Sequence, residues 1–393
     1  MLRRGRDFIQ LPGPTNIPDR VLSAMHRPMV DFAGAEFTAM ARGCLDELRH
    51  VFQTEAPVYA YSANGHGAWE IALANLIAPG EAVLMPETGR FSQSWAEMAR
   101  ALDIEVVTTQ AFHDHPVDPA ALEAALRADT GGRIKAVAMV QVETSTGVTH
   151  DVRAVRAAID AAGHPALLLV DAIACLGCID LPMDRWGVDL VVTASQKGLM
   201  MPAGLAFVAV GARARRAADE GGARRRYWDW RLREGEESYY WFYGTPPVQN
   251  MFGLRAALDM LFEEGLPAVF ARHHRLAEAA RRAAARWGEA GDVGFQCVAP
   301  EARSNVVTAL TFPSGADPDL LRARCRDRLS VAFGGGIGEF AGRLLRIGHL
   351  GDLNEPMLLG ALGGLEVAMR AGGVPHVAGG VDAAAQYLAD TLA

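Results

Sequence analysis

Short apolar runs without polar alternation recur along the first two-thirds of the chain, each followed by a segment with helical spacing. "APVYAYS" precedes "GHGAWEIALANLIA", and "EAVLMPE" precedes "SQSWAEMARAL". "EVVTTQ" leads to a helical pattern around "PAALEAALRA", and "KAVAMVQ" to one at "VRAVRAAIDAA". "ALLLVD", "VDLVVTAS" and "LAFVAV" complete the series. Runs apolar on both faces are what mostly parallel strands look like when helices cover both sides of the sheet. Strand–helix alternation therefore predicts an α/β fold. From about Gln249 the pattern changes. The long amphipathic segment "QNMFGLRAALDMLFEEG" and a second helix through "AVFARHHRLAEAARRAAARW" are followed by "NVVTALTF", "SVAFG" and "RLLRIGHL", interleaved with helices. This reads as a smaller α+β domain, with the boundary near residue 260. A chain of 393 residues has room for both.

Charge and composition narrow the partners. The formal net charge is −8, and no basic stripe with interleaved aromatics stands out, which argues against nucleic acid. The arginines of 213–226 read as a solvated helix face and loop. No apolar run reaches the length of a membrane span. The start "MLRRGRDFIQLPGPTN" lacks the apolar core of a secretory signal, so the expected location is cytoplasmic. Five cysteines, an odd and sparse set, suit a reducing compartment. Cys175 and Cys178 have C-x-x-C spacing but no second ligand pair nearby, so they read as small buried residues rather than a zinc or redox site, and no metal is expected. His273 and His274 read as surface residues of a helix. "FGGGIGEF" lacks the following helix of a dinucleotide fingerprint.

Ligands of open α/β sheets bind beyond the carboxyl ends of the strands. Four such ends carry suggestive residues. Asn64, Gly65 and His66 lie between a strand and a helix start, where free N–H groups and close backbone approach suit a phosphate; many ordinary strand–helix turns look the same. Asp171 ends a fully apolar strand and needs a partner, either a protonated heterocycle nitrogen or an arginine. Thr144, Ser145 and Thr146 offer hydroxyls in "VETSTGV". Lys197 follows the run "VDLVVTASQ". Of 38 basic residues only Lys135 and Lys197 are lysines; the other 36 are arginines. Arginine stays protonated, whereas a desolvated lysine can lose its proton and act as a nucleophile. Taken singly, Lys197 could also be a lysine whose head reaches water. Together, a phosphate cradle, a carboxylate after a strand and a lysine 26 residues later are what pyridoxal 5′-phosphate requires. The carboxylate keeps the ring nitrogen protonated, and the lysine holds the cofactor as an imine and moves the substrate α-proton.

The order of "PGPTN", "SANGHGAWEIALANL", "VETSTGV", "LLLVDAIACLG", "VTASQKGLMMPAG" and "RIGHLGDLNEPMLLGALGGLEVAM" resembles the class V aminotransferases. Within them it is most similar to the alanine-glyoxylate and serine-glyoxylate enzymes. The resemblance implies fold type I: a large domain with a mostly parallel seven-stranded sheet (21–260), a small domain (261–393) and an N-terminal segment (1–20) touching the active site and the partner. It implies a homodimer with active sites at the interface. By motif, Lys197 would bind the cofactor covalently and Asp171 would pair with the ring nitrogen. Asn64, Gly65, His66 and Gln196 would hold the phosphate. Phe91 would stack on the ring, Ile173 would press on its other face, and Thr144 would lie beside it. Thr245 would reach the partner subunit's phosphate. Relatives usually place a tyrosine just before the equivalent of Thr245; here the residues are Phe242, Tyr243 and Gly244, and Tyr243 is the substitute. Arg346 would clamp the substrate carboxylate. The implied reaction moves the amino group of a small amino acid, serine or alanine, to a keto acid, glyoxylate, by a ping-pong mechanism. Aspartate as donor, or a lyase such as a desulfurase using Cys325, are the alternatives.

Overall fold

The computed structural model describes residues 5–109, 113–221, 225–291 and 293–392. The last residue of "EVVTTQ" and positions 222–224 of the arginine-rich stretch lie outside them.

Seven strands form the large sheet, in the order Val58–Ala63, Gly204–Val210, Leu190–Ala194, Leu167–Asp171, Ile134–Val140, Ala82–Leu84 and Glu105–Val107. Gly204–Val210 runs antiparallel to both neighbours, and the other contacts are parallel. This is the α/β, fold-type I architecture expected from the sequence. Side chains alternate between the two faces of a strand. Leu168 and Val170 enter one core, with Leu48 and Phe52 of helix Ala35–Phe52 and Leu254 and Leu258 of helix Val248–Glu264. Leu167 and Leu169 enter the other, with Ile71 and Leu73 of helix Gly65–Leu76 and Trp95 of helix Arg90–Ala101. Both faces are dry, which is why these runs carry no polar alternation. The parallel arrangement brings the carboxyl ends of the strands to one edge of the sheet, and with them Asn64, Asp171 and the turn that carries Lys197.

The second sheet has five strands, in the order Phe8–Gln10, Val331–Gly335, Leu344–Gly348, Val307–Thr311 and Gly294–Phe295. Helices Leu266–Trp287, Pro318–Leu329, Glu355–Ala371 and Gly380–Asp390 pack on it through Leu276, Trp287, Leu321, Leu362 and Leu388. The N-terminal residues join this distant sheet: Phe8 pairs with Val331, in parallel. From that strand the chain crosses to the large sheet through residues 11–16, where Thr15 N–H donates to the Gln196 carbonyl at 3.2 Å.

His273 departs from expectation. It is buried, not at the surface. Its Nδ1 meets the Val269 carbonyl at 2.7 Å, and its Nε2 accepts from Gly351 N–H at 3.0 Å. Burial, helped by Arg272, pushes it down to about 3, so it is neutral and structural. His274 is exposed. All five cysteines are unpaired and buried, and burial raises the Cys175 and Cys178 thiols. Among the described residues no helix is long and apolar enough to cross a membrane.

Candidate active site

A cavity of about 300 Å³ opens at the carboxyl edge of the large sheet. Asn64, Gly65, His66, Phe91, Thr144, Asp171, Ile173, Gln196 and Lys197 all line it, joined by Gly13, Pro14 and Trp69. At its upper end the strand Val58–Ala63 turns into helix Gly65–Leu76. Asn64 caps that helix: its Oδ1 accepts from His66 N–H at 3.1 Å and Gly67 N–H at 3.4 Å. A Cβ on Gly65 would come within 2.6 Å of Ile173 Cδ1, so only glycine lets the backbone approach there.

Asp171 closes the floor. Its Oδ1 accepts from Ile173 N–H at 2.7 Å, and its Oδ2 accepts from Trp69 Nε1–H at 2.9 Å. Burial nonetheless pushes its carboxyl up to about 7, because no described side-chain cation bonds to it. Lys197 sits in the turn after Leu190–Ala194. Its Nζ donates to the Pro12 carbonyl, and Gly13 lies against its side chain with no room for a Cβ. Burial, and then the positive field of Arg346, push Lys197 down to about 8.

Arg346 lies just behind the cavity wall. Its Nε donates to Gly335 O at 2.7 Å and its Nη1 to Thr144 O at 2.8 Å, which leaves further N–H groups of the terminal fork for a carboxylate. Burial pushes it down to about 10, and the charge of Glu143 works against that shift. Tyr243 and Thr245 are not brought to this cavity. Tyr243 is half-buried and meets the Tyr227 ring edge-on at 6.3 Å, while Thr245 is exposed and Phe242 is buried.

Residues 12–331 match the family described as Aminotransferase class-V. The chain belongs to the class V aminotransferases. It is 42% identical to the serine–glyoxylate aminotransferase of Methylorubrum extorquens, over 98% of this chain and 97% of that one. It is 38% identical to the L-aspartate–glyoxylate aminotransferase of Paracoccus denitrificans, over 98% and 97%. The crystal structure of the ureidoglycine–glyoxylate aminotransferase of Bacillus subtilis superposes with a TM-score of 0.88 at 27% identity, covering 98% of this chain and 99% of that one.

As a class V aminotransferase the chain is a pyridoxal-phosphate-dependent transaminase, and three features of the cavity fit that cofactor. Gln196 Oε1 is buried with no hydrogen-bond partner among the described residues. The capped helix start beside Gly65 offers an anion its dipole and a close backbone. Asp171 is a buried carboxylate short of a counter-charge, which a protonated ring nitrogen would supply.

Two residues with evident parts in this aminotransferase site were not singled out from the sequence. Trp69 orients Asp171 and stacks on Trp95 at 5.9 Å. Its signal is positional: four residues after Gly65, it shares that residue's helix face. Glu143 lies buried behind Phe91 and Thr144, and two of its four donors come from a helix fifty residues earlier.

Proposed function

We propose that the chain transfers the amino group of serine or alanine to glyoxylate in two half-reactions at this cavity. The observation that carries the reading is Lys197, a buried amine whose pKa burial lowers to about 8, on the cavity floor with Asp171. Bound pyridoxal phosphate supplies the carbonyl carbon that carries the amino group, and a ring that takes up the electron pair left when the α-proton departs. The chain does the rest. Arg346 binds the donor carboxylate, Asn64, Gly65, His66 and Gln196 hold the cofactor phosphate, and Asp171 pairs with the ring nitrogen. Phe91, Ile173 and Thr144 shape the cavity around the ring. Lys197 Nζ takes the α-proton from the donor and would pass it to the cofactor carbon that receives the amino group. The donor leaves as its keto acid; glyoxylate then enters and leaves as glycine.

The three relatives share glyoxylate in their names and differ in the donor. That pattern supports glyoxylate as acceptor here. A small neutral donor is supported by the lining: apart from Lys197 and the Arg346 assigned to the donor's own carboxylate, no described side chain at the cavity is cationic, because burial, and then the charge of Arg90, lowers the pKa of His66 and favours its neutral form. A donor with a second carboxylate would lack a partner for it. The desulfurase alternative loses support at Cys325. That thiol is buried in helix Pro318–Leu329, and burial pushes it up to about 12, far from the thiolate such chemistry needs.

The test is a pair of half-reactions on the cofactor-loaded protein, followed by the cofactor's visible absorbance. Serine or alanine alone should change the spectrum, and glyoxylate should restore it. A change with aspartate but with neither of the others would overturn the donor assignment. No change with any amino acid would overturn the transaminase reading of the cavity.

The proposal includes a homodimer. Tyr243 and Thr245 lie outside their own chain's cavity, on a face that also exposes Tyr227, Tyr239 and Tyr240, and are assigned to the partner subunit's phosphate. Light scattering should give twice the 42.1 kDa of one chain; a mass of one chain would refute this. Cytoplasmic residence is proposed on the five unpaired cysteines.

A further inference from the structure

Strand Ile134–Val140 continues into a tight hairpin, Val142–Glu143 paired with Val148–Thr149. The Glu143 carbonyl holds its turn, accepting from Thr146 N–H, Gly147 N–H and Thr146 Oγ1–H. The Glu143 side chain is fully buried and meets donors throughout. Oε2 accepts from Phe91 N–H at 3.1 Å and Ser92 N–H at 3.2 Å. Oε1 accepts from Ser145 N–H at 3.1 Å and Ser145 Oγ–H at 2.6 Å. Ser145 Oγ in turn accepts from Arg90 N–H at 3.1 Å. Three successive amides at the start of helix Arg90–Ala101 are thus tied to the Glu143–Ser145 pair. Gly89 permits the close approach: a Cβ there would sit 2.5 Å from Ser145 Oγ and 2.7 Å from Glu143 Cγ.

Both ends of this network reach the cavity. Phe91 lines it at the start of the helix, and Thr144 lines it from the turn. The Thr144 carbonyl accepts from Arg346 Nη1. We propose that Glu143 is a positioning residue: one buried carboxylate that fixes both the aromatic wall facing the cofactor ring and the carbonyl that aims Arg346 at the substrate. This rests on the transaminase reading of the cavity and adds a residue to it. The chemistry explains why a carboxylate is needed. All four groups around it donate, so both oxygens must accept, and a glutamine offers only one acceptor. Its position at a helix N-terminus favours the anion, and its charge offsets part of the desolvation of Arg346. Burial raises the pKa of Glu143 itself, which the four donors counter.

Glu143→Gln tests this. Its NH2 must face either the Phe91–Ser92 amides or the Ser145 donors. The variant should keep its far-ultraviolet dichroism. The visible dichroism of the bound cofactor should fall, because the Phe91 wall is released. The donor KM should rise about ten- to a hundredfold, the loss expected for one or two hydrogen bonds to a charged group. The turnover number should fall less than tenfold, because Lys197 and Asp171 are untouched. Ser145→Ala removes only the hydroxyl links and should move KM and the dichroism in the same direction by about three- to fivefold, roughly one ordinary hydrogen bond. A folded Glu143→Gln with donor KM within about twofold of wild type and unchanged cofactor dichroism overturns the proposal. If Glu143→Gln does not fold, Ser145→Ala decides on the same two readouts. Should the wild type itself respond to no donor, the transaminase reading fails, while the dichroism still reports on Glu143.

Discussion

Lys197→Ala should abolish turnover and leave the cofactor bound without a covalent link. The expected loss exceeds the 10²–10⁴ that a positioned acid–base group typically contributes, because the covalent attachment is lost as well. The physical ground is the state of the amine. A lysine at its usual 10.5 would be neutral about once in 3,000 molecules at pH 7; at about 8 it is neutral in roughly one in ten. Burial therefore enriches the nucleophilic form some 300-fold at that pH. It follows that covalent loading of the apo-protein should quicken about tenfold per pH unit up to about 8 and then level off. Borohydride reduction and peptide mapping check the assignment: the peptide carrying Lys197 should gain the cofactor's mass, and the one carrying exposed Lys135 should not. Stability supplies the control. A lysine whose pKa is depressed on folding contributes stability above 10.5 that is lost as pH falls through about 8, so at pH 7 the wild type bears the full penalty. Lys197→Ala removes that penalty and leaves a void, and the two effects oppose. The apo variant should melt within a few degrees of wild type at pH 7. An active variant, or cofactor fixed on another peptide, would sink the account of Lys197.

The parts of this aminotransferase that were legible in the sequence share one property: their signal is local. The strand Leu167–Asp171 is apolar until its last residue, so Asp171 announces itself as a charge at a strand end. Lys197 does the same after the next strand, Leu190–Ala194. The parts that were missed depend on partners far along the chain. Phe8–Gln10 is three residues, too short for any periodicity, and becomes a strand because Val331–Gly335 offers it an edge. Glu143 looks like one carboxylate among many until helix Arg90–Ala101 is placed beside it. His273 was misread for a different reason. Its neighbours Arg272, His274 and Arg275 suggest a surface, yet Val269, His273, Leu276, Ala280, Ala284 and Trp287 follow helical spacing and form the buried face. Periodicity was the better guide there than local polarity.

Asp171→Asn should lower turnover by a factor on the order of 10²–10³, the size of effect seen when one preorganised electrostatic group is removed from a site of charge development. The physical ground is the unmatched charge. Burial pushes Asp171 up to about 7, although Ile173 N–H, Trp69 Nε1–H and the field of Lys197 favour its ionised form. A raised carboxyl contributes stability that is full below its unfolded value of 3.8 and is lost as pH rises through about 7. The apo wild type should therefore lose stability relative to apo Asp171→Asn between pH 5 and 8. Adding the cofactor reverses the comparison. A protonated ring nitrogen stabilises the ionised carboxylate, so the wild type should gain more in Tm on cofactor binding than the variant does. Its cofactor affinity should weaken as pH falls below about 7, where the apo carboxyl must first release a proton. Trp69→Phe grades the effect. It removes one donor to the ionised form and keeps an aromatic ring against Trp95, so the acid limb of cofactor affinity should move to higher pH. The difference between variant and wild type cancels the cofactor's own titration. Melting curves of apo and loaded protein at pH 6 and 8, with turnover numbers alongside, decide the matter. Equal cofactor-induced Tm gains in wild type and Asp171→Asn, with turnover within tenfold, would mean that the ring nitrogen does not pair with Asp171. The deficit of positive charge on the cavity floor would then have to be met by another group.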